Sequence, residues 1–201
     1  VLSRLEAKLY NQSNNYKRNI NDISLEAKKD LIDMKDNILR DTKNEIMKVI
    51  YGSDFIAQDM SFSKDEYKSA IRCARRTIKY FKSNRIKDGL NYIQSISKQS
   101  VPISFTDKRQ EVYNARIIIE RIRYSIYKNK KIPGKCLESS MAYAAALAKL
   151  GFNFDLIVGQ HLFLSNKYQF HAWIEVNNQC VNDKRYSNSD VTKIIFKRNF
   201  R

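Results

Sequence analysis

A chain of 201 residues can build one sizeable core, or a small core with a helical extension, and a hydrophobic content of 43% excludes a disordered protein. The three cysteines lack the regular spacing of a disulfide or zinc scaffold, which excludes both. The sequence shows no signal peptide and no apolar run of membrane-spanning length, so a cytoplasmic protein is predicted. The net charge of +16 leaves two interpretations open: solvated helix faces, or an anionic partner such as nucleic acid, an acidic peptide or a membrane surface.

The first part of the chain, to about residue 130, has the periodicity of amphipathic helices. Apolar residues recur there every three or four positions with charged residues between them, so each segment has one apolar face. Ser63 and Glu66 have the spacing of a capping box and mark the start of a helix, whereas Pro102 interrupts the pattern. Helices are therefore predicted over residues 24–50, 63–81, 86–96 and 107–128.

The second part of the chain differs in residue composition and in the spacing of its apolar residues. A Pro-Gly loop at 128–134 precedes an alanine-rich helix at 137–150, and Gly151 is placed to end that helix. Short apolar runs predict strands over 156–158, 170–176 and 179–181, the last two joined by a turn at the Asn-Asn pair 177–178. Helices that lead into a small antiparallel sheet predict an α+β fold.

The cysteine with the most favourable setting for reactivity is Cys136, at the start of the alanine-rich helix. The free N–H groups and the partial positive charge of a helix N-terminus favour a thiolate over a thiol. Cys73 is expected within a helix and Cys180 within a strand, where that setting is absent. A buried structural cysteine is the alternative interpretation of Cys136.

His171 begins a predicted strand and shares one face of it with Trp173 and Glu175, because side chains alternate along a strand. On this face His171 would meet a helix end or a cleft, although a surface histidine is the plainer interpretation. A histidine that serves a cysteine as a general base needs a third group to orient it. Asp183, just after the return strand, is the candidate for that group, and Asn182 beside it is expected to help fix it.

The register of this hairpin decides whether Asp183 can reach His171. With a two-residue loop at 177–178 and continuous pairing, Ala172 would lie opposite Asp183, which would then face away from His171. A three-residue loop or a bulge shifts the register by one and brings the two side chains to the same face. An odd loop or a bulge is therefore predicted in this hairpin.

Five short motifs follow one another in the second half of the chain. They are the Cys-Leu pair at 136–137, Gly151, LIVG at 156–159, HAWIEV at 171–176 and VND at 181–183. In this order they resemble the transglutaminase-like cysteine peptidases of lasso-peptide biosynthesis, the B proteins of the microcin-processing type. The resemblance is close over 134–183 and loose from 107. It implies a transglutaminase-like or papain-like core, with a nucleophile helix packed on a small antiparallel sheet.

The resemblance also implies an activity and a division of the chain. Cys136 would be the nucleophile, His171 the general base and acid, and Asp183 the carboxylate that orients the histidine. The enzyme would remove the leader from a ribosomally made precursor peptide. Residues 101–201 would form the peptidase domain, and residues 1–100 a helical N-terminal region.

Partners and cofactors follow from the same resemblance. A partner similar to asparagine synthetase, which uses ATP, closes the macrolactam ring, so no cofactor is expected in this chain itself. Fused members of the family often carry a leader-recognition module with a three-stranded sheet. Because residues 1–100 are predicted to be helical, a separate leader-recognition protein is expected. The segment between the strands at 156–158 and 170–176, which includes His161, is longer than expected and is either a substrate-binding flap or a longer hairpin loop.

Two other functions remain open from the sequence. A transglutaminase-like enzyme can pass the acyl group to an amine instead of water, which would make the chain an acyltransferase. A basic helical protein that binds nucleic acid or another partner without catalysis is the second alternative. Arg75, Arg76 and Lys79 cluster on one helix, but the helices lack a basic face interleaved with aromatic residues, so nucleic acid is not the expected partner.

Overall fold

The computed structural model describes residues 25–127, 135–161, 170–183 and 191–200. The loop predicted at 128–134 and most of the long segment after 161 lie outside the described residues. Contacts within the chain divide it into two compact units, residues 1–56 and residues 57–201. Across the described ranges, every helix is too short or too polar to cross a membrane.

All the helices predicted from periodicity are present, with ends close to those expected. They are α1 (Leu25–Tyr51), α2 (Lys64–Lys82), α3 (Ile86–Gln99), α4 (Lys108–Tyr127) and α5 (Cys136–Lys149). The capping box of α2 is confirmed: Ser63 Oγ accepts from the Glu66 N–H at 3.2 Å, and the Glu66 carboxylate accepts from the Ser63 N–H at 2.7 Å. These two bonds satisfy backbone donors that the first helical turn leaves without a partner.

A four-stranded antiparallel sheet follows the helices. Its strands are β1 (Phe154–His161), β2 (Phe170–Val176), β3 (Gln179–Cys180) and β4 (Val191–Phe200), in the order β3-β2-β1-β4. Gly159 lies opposite His171 in the β1–β2 ladder. Strand β4 was not predicted from the sequence. Helices and a small antiparallel sheet together make the mixed α+β architecture that the sequence predicts.

Helix α5 is the centre of the larger unit. Residues 138–148 are buried without interruption, and the helix contacts α2, α3, α4, β1 and β2. Its alanines allow neighbouring elements to approach closely, because a methyl group occupies little space. The helix ends where predicted, since Gly151 has a φ of +84° and a side chain there would collide with the Val101 carbonyl oxygen.

The prediction of an odd-numbered loop or a bulge in the β2–β3 hairpin is wrong. Val176 pairs with Gln179 and Glu175 with Cys180, so the loop has the two residues Asn177 and Asn178. Their φ values of 50° and 62° define a turn that matches the twist of the flanking strands, and asparagine adopts such values more readily than most residues.

Strand pairing nevertheless stops soon after this turn, so Asp183 is not forced onto the face opposite His171. The ladder ends at Cys180, followed by one more bond from the Val181 N–H to the Ile174 carbonyl. The chain then bends at 181–182. Continuous pairing would have placed Asp183 opposite Ala172, but the bend removes that constraint.

The unit that contains α5 and the sheet begins at Ala57, so it includes α2 and α3. Both helices pack against α5, although the sequence assigns them to the N-terminal region of residues 1–100. The domain boundary predicted at residue 100 stays a prediction. In the folded chain, the helices that precede it support the helix that carries Cys136.

Candidate active site

Cys136 is the first residue of α5, as expected from the sequence. Its side chain is partly exposed, and its Sγ lies 3.8 Å from the carbonyl oxygen of Phe170, the residue immediately before His171. Lys135 precedes the helix and caps it with no side-chain hydrogen bond. The thiol therefore lies where the start of α5 meets the start of β2.

His171 and Asp183 form a close pair. His171 Nε2 lies 3.4 Å from Asp183 Oδ2, and the two side chains are only 13% and 14% exposed. The carboxylate therefore lies on the Nε2 side of the imidazole ring. The structure thus brings two of the three predicted residues together, at a distance that suits an ion pair when the imidazole is protonated, and places the third beside the backbone of β2. Their assignment as catalytic residues stays a prediction.

The edge of β2 explains why α5 lies in this position. Alternate residues of an antiparallel strand turn their backbone groups to the same edge, so Phe170, Ala172 and Ile174 share the edge that the short β3 leaves mostly uncovered. The Phe170 carbonyl meets the thiol of Cys136, and the Ala172 carbonyl accepts a 2.8 Å hydrogen bond from Ser140 Oγ. Four residues along a helix advance about 6 Å, and two residues along a strand advance about 6.6 Å, so the contacts stay in register.

Asn182 occupies the remaining position on this edge. Its Oδ1 accepts from the Ile174 N–H at 2.8 Å, and its Nδ2 donates to Ser140 Oγ at 2.9 Å. The side chain thereby replaces the backbone carbonyl that a longer β3 would have supplied. Asn182 was expected to help fix Asp183, whereas Ser140 was not predicted. Its one sequence signal is a hydroxyl one turn after Cys136.

Trp173 and Glu175 support the face of β2 that carries His171. The Trp173 ring is nearly parallel to the imidazole, with 6.1 Å between ring centroids and 10° between planes. Its Nε1–H donates to Glu175 Oε1 at 2.8 Å, and both residues are buried. Trp173 is thus a packing residue beside the site, and Glu175 has a structural contact rather than a solvated position.

The other two cysteines have different surroundings. Cys73 is buried in α2. Burial raises the pKa of the Cys180 thiol, while hydrogen bonds with the backbone of Asp183 and Asn182 oppose that shift. Cys180 Sγ lies 3.2 Å from the Asp183 carbonyl oxygen, so this thiol contacts the backbone of the acid-bearing segment. Within the described ranges, no group of three or more histidine, cysteine, aspartate or glutamate residues could hold a metal ion.

The basic cluster noted on α2 has intramolecular contacts. Arg75 donates to the Ser125 carbonyl of α4 at 3.3 Å, and the Arg76 guanidinium lies 4.7 Å from the centre of the Tyr92 ring on α3. A cation over an aromatic face is attracted by the ring quadrupole. These two arginines therefore join α2 to its neighbours.

Comparison with known proteins gives one match. Residues 101–195, just under half of the chain, match the family described as the transglutaminase-like superfamily. The matched segment includes Cys136, His171 and Asp183, and proteins of this superfamily are generally cysteine-based enzymes. No curated protein and no solved structure matches the chain.

Proposed function

We propose that the chain is a cysteine peptidase of transglutaminase-like type that removes the leader from a ribosomally made precursor in the maturation of a lasso peptide or a related modified peptide. The observation that carries this proposal is the His171–Asp183 pair next to a helix-start cysteine, inside a segment that matches the superfamily. Leader removal itself rests on the motif resemblance over residues 134–183.

The first half of the proposed reaction forms an acyl-enzyme. The Cys136 thiolate attacks the carbonyl carbon at the leader–core junction, and the backbone N–H of Cys136 donates to the oxyanion. Because Asp183 lies at Nε2 of His171, Nδ1 is the ring nitrogen assigned to exchange protons with the thiol. The protonated imidazole then gives its proton to the departing amine, which leaves as the core peptide.

The second half of the reaction releases the leader. His171 takes a proton from water, the resulting hydroxide attacks the thioester, and the leader leaves with a free carboxylate. Cleavage of the C–S bond frees the thiolate, the proton taken from water stays on the imidazole, and the new carboxylic acid releases its own proton to solvent. The thiolate–imidazolium pair is thereby regenerated. Attack by an amine instead of water would give an amide product, which is the acyltransferase alternative.

The proposal includes partners that act before and after this step. A separate leader-recognition protein would deliver the precursor, and an ATP-dependent enzyme resembling asparagine synthetase would close the ring. The chain itself is proposed to need no cofactor and to act in the cytoplasm. Support for these partners comes from the resemblance alone.

The test compares the wild-type chain with single-site variants on candidate precursor peptides, with product masses measured in heavy-oxygen water. Hydrolysis predicts a leader acid that carries one heavy oxygen from the solvent. By comparison with the triad of subtilisin, Cys136→Ala and His171→Ala should lower kcat about a millionfold, and Asp183→Ala about ten-thousandfold. Cys73→Ala removes a thiol on another helix and should retain turnover.

Two results would contradict the proposal. Equal turnover by the wild type and Cys136→Ala would exclude the thiol as the nucleophile. A product that is an amide rather than a labelled acid would exclude the hydrolase and favour the acyltransferase.

A further inference from the structure

Ser140 is a polar residue in an otherwise alanine-rich helix. It is fully buried, and it lies one turn after Cys136 on the same side of α5. A serine within a helix commonly bonds to a carbonyl of its own preceding turn. This hydroxyl instead donates to the Ala172 carbonyl on β2, at 2.8 Å, immediately after His171.

The same hydroxyl accepts a hydrogen bond from Asn182 Nδ2 at 2.9 Å. Asn182 immediately precedes Asp183, and its Oδ1 accepts from the Ile174 N–H. One buried serine and one asparagine therefore join three elements: the helix that begins with Cys136, the strand that carries His171, and the segment that ends at Asp183.

We propose that Ser140 and Asn182 are positioning residues of the active site, forming a hydrogen-bonded bridge that sets the His171–Asp183 pair relative to the Cys136 thiol. The inference rests on the proposed function and adds two residues to it. Each polar group of the bridge has a partner, because the Ser140 hydroxyl both donates and accepts and both ends of the Asn182 amide are engaged. Buried networks of this kind are electrostatically strong and hold a single geometry.

The bridge also explains how the hairpin ends. If β3 continued past Cys180, its backbone would occupy the edge of β2 that α5 uses. The Asn182 side chain completes the ladder at Ile174 and lets the backbone bend away, so that Asp183 turns towards His171. Loss of the bridge should therefore disturb the pairing of thiol, imidazole and carboxylate more than it disturbs the fold.

The test measures the rate of Cys136 alkylation by iodoacetamide in the full chain at about pH 6 and about pH 9. At pH 6 an ordinary thiol, with a pKa of about 8.5, is almost fully protonated, so fast reaction there reports activation by the imidazole. Ser140→Ala should lower the rate at pH 6 about 10- to 100-fold, because small displacements of catalytic groups have effects of this size. At about pH 9 even an ordinary thiol is largely ionised, so the alkylation rates of Ser140→Ala and the wild type should converge.

Matched variants separate positioning from general damage to the helix. Ser139→Ala removes a neighbouring buried hydroxyl, which lies 3.4 Å from the Tyr127 hydroxyl, and should react like the wild type. Ser140→Thr retains the hydroxyl and should restore the rate at pH 6. If Ser140→Ala does not fold, as judged by near-ultraviolet circular dichroism, Asn182→Ala tests the same bridge from the loop side.

Each outcome has one meaning. A folded Ser140→Ala or Asn182→Ala variant with the wild-type rate at pH 6 overturns the bridge while leaving the proposed function intact. Equal slowing by Ser139→Ala overturns it as well. If the wild-type thiol itself reacts slowly at pH 6, the proposed function fails first, and the bridge has no activated thiol to position.

Discussion

At the scale of single residues, the feature beside His171 that most affects stability is the buried hydrogen bond between Trp173 and Glu175. Glu175 is buried beneath the sheet face, and its Oε1 accepts from Trp173 Nε1. Removing one partner of such a bond leaves a desolvated group unsatisfied, which costs more than removing both. The Trp173 ring in turn stacks beside the imidazole, so the stability of this pair and the orientation of His171 are connected.

Trp173→Phe should therefore destabilise the protein although it retains an aromatic ring. The indole N–H is lost, and the buried Glu175 carboxylate loses its donor, so we expect the free energy of unfolding to fall by about 1–3 kcal/mol. Urea denaturation measures the change. The double variant Trp173→Phe/Glu175→Leu removes both partners and should recover part of the loss. A double variant less stable than Trp173→Phe would contradict this view of the pair.

At the scale of elements, the contact between α4 and α5 contains one buried and one half-buried phenol. Tyr127, at the end of α4, lies 3.4 Å from Ser139 Oγ on α5, and Tyr143 of α5 is buried. Burial raises the pKa of both phenols above the ordinary value, because a phenolate loses its solvation inside the protein. The stability of the packing around the helix that carries Cys136 should therefore depend on pH in the alkaline range.

The free energy of unfolding should be insensitive to Tyr143 below about pH 10 and should fall as the pH rises above it. In that range the phenol ionises in the unfolded chain while the folded chain keeps it neutral, so each pH unit removes up to about 1.4 kcal/mol. Tyr143→Phe should make the fall shallower, as measured by denaturation between about pH 9 and pH 11. Tyr124→Phe, which removes an exposed phenol from α4, is the control. An unchanged slope in Tyr143→Phe would contradict the assignment.

The elements also mark the limit of prediction from sequence. The helices, the capping box at Ser63 and the helix stop at Gly151 depend on neighbours within a turn or two, and all were predicted. The hairpin register was predicted wrongly, because β3 ends early where α5 occupies the edge of β2. That contact joins Ser140 to Ala172, 32 residues apart in the chain, and no local pattern encodes it.

At the scale of the whole molecule, the charge of +16 is the least specific feature. Part of it is used within the fold, since Arg75 and Arg76 contact neighbouring helices. The candidate site came instead from an ordered set of motifs, and the fold explains their order: α5 supplies Cys136, β2 supplies His171, and the end of the hairpin supplies Asp183. We propose that these three residues act together, with the imidazole and the carboxylate activating the Cys136 thiol.

The most direct test of that claim exposes the folded protein briefly to iodoacetamide from about pH 5 to about pH 9 and maps alkylation at the three cysteines by mass spectrometry. We predict rapid, selective modification of Cys136 below neutral pH, lost in His171→Ala, with slow reaction at Cys180, whose pKa burial raises. The account would be contradicted if Cys136 reacted only as the pH approached the ordinary thiol pKa of about 8.5, at the same rate in His171→Ala.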